Sequence, residues 1–254
     1  MHPLSEVIPG FHAQWPAPSW VRTWSTERDF DLGFQGSTSR DQVEFNRQHL
    51  GQVLGMRPQW LNQDHGVRVR TDDDTLVACA DAVVTRRDGV GCGVLTADCL
   101  PVLFCHTREP VVAAAHAGWR GLVDGVLEAA LEAMEVERNG ILAWLGPAIG
   151  PDSFEVGAEV RERFVQAQAA AEHAFREGGG GKWWADLYHL ARLRLQRAGV
   201  TAVYGGGFCT LREDQRFYSF RREKTAAGRM GHFIWMRSDT QDSQSFGELG
   251  GGRV

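Results

Sequence analysis

The chain has 254 residues, with 27 Lys and Arg against 32 Asp and Glu and a formal charge of −5. That length buries a large core without help from disulfides or metal, and mild acidity with no Lys/Arg block excludes broad electrostatic binding to nucleic acid. The five cysteines, Cys79, Cys92, Cys99, Cys105 and Cys209, form no CxxC pair, so each reads as core, ligand or nucleophile in a reducing compartment.

The N-terminal MHPLSEVIPGFHAQW has no basic region followed by an apolar run, and no apolar segment is long enough to span a bilayer. The expectation is a soluble cytoplasmic protein with no membrane partner. Residues 1–36, rich in Pro, Trp and Gly, read as short strands and turns. STSRDQVEFNRQHLGQVLG then reads as a helix. Ser39 and Gln42 have capping-box spacing, and Val43, Leu50 and Leu54 share a face. WLNQDHGVRV reads as a strand, a turn at His65 and a second strand start, and TDDDT (71–75) as a solvated loop. ADAVVTRRDG and VGCGVLTADC are two strands split by a turn.

Beyond His116, GWRGLVDGVLEAALEAM predicts a helix over 121–134, with Leu122, Val126, Ala130 and Met134 on one face. ILAWLGPAIGPDSFEVG is a strand followed by a Gly/Pro-punctuated loop, and VGAEVRERFVQAQAAAEHAF (156–175) is another helix. GGGGK (178–182) reads as a flexible connection, and Leu187, Leu190, Ala191, Leu195 and Ala198 mark a further amphipathic helix. FYSFRRE is ambiguous; on a strand, only one of Arg221 and Arg222 could face a site. Residues 238–254, polar and Gly-rich, are expected to be a disordered tail behind a single domain at 1–237. Strands and helices mix without strict βαβ alternation, which predicts an α/β protein with mixed sheets rather than a Rossmann wheel. Neither a GxGxxG after a strand nor a GxxxxGK[ST] is present.

Three segments place metal-capable side chains at strand–turn boundaries: His65 in NQDHG, Cys99 in TADC and His116 in AHAGW. Two imidazoles and a thiolate suit zinc, and three protein ligands leave a fourth position for a water whose pKa falls to about 7. Long spacings such as these also arise by chance, and Cys99 and His116, each taken alone, read more readily as core. Gly66 and Gly118, close to the two histidines, allow a turn and a near approach. His116 precedes the predicted helix, whose N-terminus suits an anion. Arg120 in that turn reads either as a fork for phosphate or carboxylate or as half of a surface ion pair.

Taken together, NQDHG, LTADCLPVLF, AAHAGWRGL, GPAIGPDSFEVG and FYSFRREKTAAGRM resemble the YfiH family over roughly residues 15–237. That family carries the old label of a laccase-like multicopper polyphenol oxidase, and is also called peptidoglycan editing factor or purine nucleoside phosphorylase. The resemblance implies a layered α/β/β/α fold related to the catalytic domain of cytotoxic necrotizing factor, with His65, Cys99 and His116 as the metal ligands. It implies zinc-linked phosphorolysis of adenosine, inosine and methylthioadenosine, and deamination of adenosine. It also implies removal of L-serine from a UDP-muramic acid precursor. Where many members have a Cys pair, Asp152 and Ser153 stand here.

The leading expectation is a zinc-dependent purine nucleoside enzyme acting on nucleoside and phosphate. Asp98 is its candidate proton shuttle, provided the backbone turns there, because neighbours on a strand face opposite ways. Gln63 and Arg47 are candidate contacts to ribose or phosphate, with Arg47 reading also as a solvated helix residue. The alternative is an amidohydrolase acting on a cell-wall precursor, through zinc or through Cys99 as a nucleophile activated by His. Copper oxidation ranks last, since no H-x-H pair occurs among the nine histidines. A structural metal would need a fourth ligand, and Cys105 and His106 lie at the far end of the LPVLF strand. Monomer and homodimer both stay open.

Overall fold

The computed structural model describes residues 8–74 and 79–237; the expected tail at 238–254 lies outside the described residues. In chain order the strands are β1 (Gly10–Phe11), β2 (Val21–Thr26), β3 (Arg57–Gln59), β4 (Val69–Arg70), β5 (Ala82–Thr85), β6 (Val90–Thr96) and β7 (Leu100–His106). They continue with β8 (Val112–Ala117), β9 (Ile141–Leu145), β10 (Glu155–Val156), β11 (Phe175–Glu177), β12 (Trp183–Ala185), β13 (Ala202–Gly205) and β14 (Met230–Met236). The helices are α1 (Arg40–Leu54), α2 (Trp119–Asp124), α3 (Val126–Ala133), α4 (Ala158–Ala167), α5 (Leu187–Arg197) and α6 (Phe220–Glu223).

One sheet runs β1-β2-β14-β6-β3 and a second β13-β9-β7-β8-β5-β4, while β10-β12-β11 form a small third. Each of the two large sheets mixes parallel and antiparallel neighbours: β3/β6 are parallel in the first, β9/β13 and β4/β5 in the second. Residue alternation along the strands builds the layers. In β7, Val102 and Phe104 face the helices α2, α3, α4 and α5, whereas Leu103 and Cys105 face the other sheet. In β14, Ile234 and Met236 point into the inter-sheet core, whereas Phe233 and Trp235 pack with Leu50 of α1. The result is the expected α/β/β/α stack. Strands covered on both faces carry continuous apolar runs, which is why LPVLFC and VVAAAHA show no polar alternation.

Helix α1 starts at Ser39, whose hydroxyl accepts from Gln42 N at 3.3 Å, and stops at Gly55 in the left-handed region. The capping box is only half formed, because the Gln42 amide turns forward to Asn46. The predicted helix over 121–134 is divided into α2 and α3 at Gly125, which has φ 106°; its predicted face is nonetheless fully buried. The helix predicted over 156–175 ends at Ala167. Gln168 is extended, Ala169–Ala174 form a 3-10 turn, and Phe175 opens β11. GGGGK closes the β11–β12 hairpin, with Gly178 N donating to Lys182 O. FYSFRRE forms the short helix α6, capped by Ser219. None of the helices among the described residues is long and apolar enough to cross a membrane.

Candidate metal centre

Antiparallel pairing of β7 with β8 sets Leu100 opposite Ala117 and Pro101 opposite His116. Cys99, just before β7, and His116, at the end of β8, therefore meet at one rim of the second sheet. The third residue, His65, comes from the loop after β3 and has φ 65°. The donor atoms of His65, Cys99 and His116 all lie within 4.8 Å of one another, and His65 Nε2 is 3.7 Å from Cys99 Sγ. A tetrahedral zinc with Zn–S about 2.3 Å and Zn–N about 2.1 Å places its sulfur and nitrogen about 3.6 Å apart, so the donor set fits the ion in type and spacing. Gly118 is required by the closeness of these groups, because a Cβ there would stand 2.7 Å from His65 Cδ2 and 3.1 Å from Cys99 Sγ.

Asp81, fully buried just before β5, ties the three segments together. Its Oδ1 accepts from His116 Nδ1 at 2.6 Å and from His65 N at 3.0 Å. Its Oδ2 accepts from Asp64 N at 3.1 Å and Gly66 N at 2.8 Å. Its carbonyl accepts His116 N at 2.7 Å. With Nδ1 committed to Asp81, His116 has Nε2 free for the site. The sequence reading missed Asp81, taking ADAVVT as plain strand.

The charges agree with this geometry. Burial raises the Cys99 thiol, but the His116 charge and hydrogen bonds from His116 and His65 prevail and bring it from 9.0 down to about 6. Burial disfavours a charged His116, yet the Cys99 thiolate and the bonds to Asp81 and Cys99 raise it from 6.5 to about 9. Burial likewise opposes the Asp81 charge, and the His116 bond with its loop N–H donors holds it below the usual carboxylate range. Each partner thus favours the charged form of the other, a thiolate beside an imidazolium with a carboxylate behind it.

His65, Cys99 and His116 border a cavity of about 610 Å³, also lined by Phe34, Trp119, Phe154 and Phe220, a size suited to a small organic ligand. Asp98 lines it too. The backbone does turn there, at φ 86°, after β6 has ended. The carboxylate accepts from Thr210 Oγ1 at 2.6 Å, Ser219 Oγ at 3.0 Å and Arg221 N at 2.6 Å. Gln63 lines the cavity, but its amide is occupied, donating to Leu95 O and accepting from Leu95 N, each at 2.8 Å. Arg47 lines it as well and is not a solvated helix residue; its guanidinium lies between Phe34 and Trp60, 4.2 and 4.3 Å from their ring centres. Arg120 does not line the cavity. Successive helix residues are about 100° apart, so with Trp119 turned inward Arg120 is exposed, lying over the Trp119 ring at 4.7 Å. Arg221 and Arg229 also line the cavity; Arg229 was not singled out from the sequence. Cys105 and His106 sit at the far end of β7, as expected, opposite Val112 and Ile141.

Residues 23–237 match the family described as multi-copper polyphenol oxidoreductase laccase. A relative in Pseudomonas aeruginosa, named purine nucleoside phosphorylase PA4543, is 48% identical over 234 residues, covering 88% of this chain and 96% of that protein. Another in Escherichia coli K12, named purine nucleoside phosphorylase YfiH, is 46% identical over 237 residues, covering 88% and 97%. The crystal structure of Neisseria meningitidis protein NMB0706 superposes with a TM-score of 0.86 at 42% identity, covering 90% of this chain and 99% of that one.

Proposed function

The chain belongs to the multi-copper polyphenol oxidoreductase laccase family, which here includes relatives named YfiH, and on that premise we propose that it is a zinc-dependent purine nucleoside enzyme. The reactions proposed are phosphorolysis of adenosine, inosine and methylthioadenosine, and deamination of adenosine. The observation that carries the reading is the convergence of His65, Cys99 and His116 at the edge of an aromatic-lined cavity. The names of the relatives supply the substrate class.

In this account His65, Cys99 and His116 hold the ion. When bound, zinc supplies Lewis-acid polarisation at the reacting centre. Asp81 fixes the ring and tautomer of His116 and the loop of His65. Trp119, Phe34, Phe154 and Phe220 give the cavity an aromatic lining suited to a purine. Asp98, already accepting three hydrogen bonds, keeps Thr210, Ser219 and Arg221 in place, and we assign it that positioning role rather than a proton-shuttle role. In phosphorolysis a phosphate oxygen bonds to ribose C1′ as the C1′–N9 bond breaks, and the electron pair leaves with the base.

Zinc is favoured over copper by the donor set. Methionine, the common axial ligand of a His₂Cys copper site, is not among the residues lining the cavity, and Gln63, the other side chain there that could serve, has both ends of its amide bonded to Leu95.

A second reading has its own support. Without metal, Cys99, His116 and Asp81 form a thiolate, imidazole and carboxylate series suited to nucleophilic attack on an amide, such as the L-seryl bond of a UDP-muramic acid precursor. Chelation separates the two. Zinc-loaded protein is given inosine with and without phosphate, and hypoxanthine and ribose 1-phosphate are quantified. The nucleoside reading predicts product that needs phosphate and disappears on chelation and in Cys99→Ser. Turnover of the amide substrate that survives chelation, with none of inosine, would replace it by the second reading.

A further inference from the structure

The cavity is lined by three arginines, Arg47, Arg221 and Arg229, and by a single carboxylate, Asp98. Asp98 does not neutralise them through an ion pair; its oxygens are taken by two hydroxyls and one main-chain amide. Each guanidinium is anchored instead by main-chain carbonyls. Arg47 Nε and Nη2 donate to Leu32 O at 2.9 and 2.7 Å. Arg221 Nη2 donates to Glu155 O at 3.0 Å, and Arg229 Nη1 to Ala227 O at 2.6 Å and Gly228 O at 3.0 Å. Among the described residues none of the three forms a salt bridge.

Arg47 and Arg229 share one wall. Arg47 donates to Leu32 O, Leu32 N donates to Arg229 O, and a Cβ on Gly33 would stand 2.4 Å from Arg229 Cγ. Arg221 belongs to the wall that carries Phe154, with its guanidinium 5.7 Å from that ring centre. Burial disfavours the Arg47 charge, lowering its pKa from 12.5 to about 10, so it is still a cation at neutral pH. The chain as a whole is acidic, at −5, so this concentration of arginine is local. Asp31 and Glu44 attract the Arg47 charge through space without pairing with it, and the three half-buried guanidiniums carry no ion pair, so an anionic ligand would find them electrostatically unsatisfied. Arginine forks match the paired oxygens of phosphate.

We propose that Arg47, Arg221 and Arg229 form an anion subsite of this cavity that seats a phosphate group beside the His65–Cys99–His116 set. The proposal rests on the nucleoside reading and moves the phosphate seat away from Arg120. The phosphate is either free orthophosphate, as co-substrate, or the phosphate of a nucleotide.

The test uses the zinc-loaded whole protein and two probes, inorganic phosphate and adenosine 5′-monophosphate. Calorimetric affinity for each is measured in wild type, Arg47→Lys, Arg221→Gln, Arg229→Gln, Arg229→Lys and the exterior control Arg120→Gln, with circular dichroism to confirm folding. The subsite predicts a loss of roughly tenfold or more for a phosphate probe in Arg221→Gln and Arg229→Gln, partial recovery in Arg229→Lys, and no change in Arg120→Gln. In turnover, KM for phosphate rises while KM for inosine holds. Tight binding of orthophosphate identifies the free co-substrate; binding of the monophosphate at least tenfold tighter identifies a nucleotide. Unchanged affinity in all arginine variants, with inosine phosphorolysis intact, overturns the subsite and leaves the nucleoside reading standing. Arginine-dependent phosphate binding with no turnover of any purine nucleoside sustains the subsite and overturns that reading. Wild type binding neither probe overturns the subsite.

Discussion

Asp81 Oδ1 lies 2.6 Å from His116 Nδ1, and both side chains are almost wholly removed from solvent. The bond places a full negative charge behind the ring whose other nitrogen faces Cys99, and the same carboxylate caps the loop that delivers His65. A single residue thus holds two of the three candidate ligands. Replacing Asp81 by Asn keeps the volume but removes the charge and substitutes a donor for one acceptor. The expected result is a loss of about 10- to 100-fold in zinc affinity, read by competition with a chromophoric chelator, together with a lower Tm for the metal-free protein.

Zinc uptake is expected to depend on pH in three regimes. His116, raised to about 9, must lose its proton to become a ligand, and Cys99, lowered to about 6, is already a thiolate above that value. Between about pH 6 and 9 one proton leaves on binding, and apparent affinity climbs about tenfold per pH unit. Below 6 the slope doubles, because the thiol must also ionise; above 9 these two groups impose no further slope. Calorimetry in buffers of different ionisation enthalpy counts the protons directly. Binding that is flat from pH 6 to 9 contradicts the thiolate–imidazolium pair.

Gly118 separates metal binding from folding. Its absent Cβ is what lets His65 and Cys99 approach. Gly118→Ala is expected to keep a native circular dichroism spectrum while zinc content falls well below that of wild type. Full zinc occupancy in a folded Gly118→Ala variant counts against the assigned ligand geometry.

His232 ties stability to acid. It is fully buried between Thr96 Oγ1 and Ser25 Oγ, and burial, followed by the His116 charge, lowers its pKa from 6.5 to about 3. The unfolded chain therefore takes up a proton below about pH 6.5 that the folded chain refuses until about pH 3. The stability contributed by neutral His232 is complete above 6.5 and is lost as pH falls toward 3. Urea midpoints at pH 7.5 and 5.0 are expected to fall further for wild type than for His232→Gln, and equal falls would show that this histidine does not control the slope.

The sequence singled out the three residues that converge at the candidate centre, because each stands beside a recognisable turn within a family motif. Asp81 was not singled out, since its role follows from β5 pairing with β8 and from a loop that returns 15 to 17 residues away. Arg229 escaped for the same reason: nothing local shows that the stretch before β14 packs on Gly33. Arg120 failed in the other direction, because position in a motif does not tell which face of a helix turn a side chain takes. In the fold, the mixed sheets followed from the lack of strict βαβ alternation, and the layers from the family resemblance. The break at Gly125 was masked by a helical periodicity that continues through it with every marked residue buried. FYSFRRE was ambiguous in the sequence; Ser219 and Asp98 accept from the amides of Arg222 and Arg221 and wind it into a helical turn.

The metal content of freshly purified protein, measured beside that of Cys99→Ala, tests the central claim most directly. The account predicts about one zinc per chain in the native protein and its loss from a folded Cys99→Ala variant. Native protein that arrives without metal and cannot be loaded with zinc would contradict it, and would leave Cys99, His116 and Asp81 as a thiol-based centre.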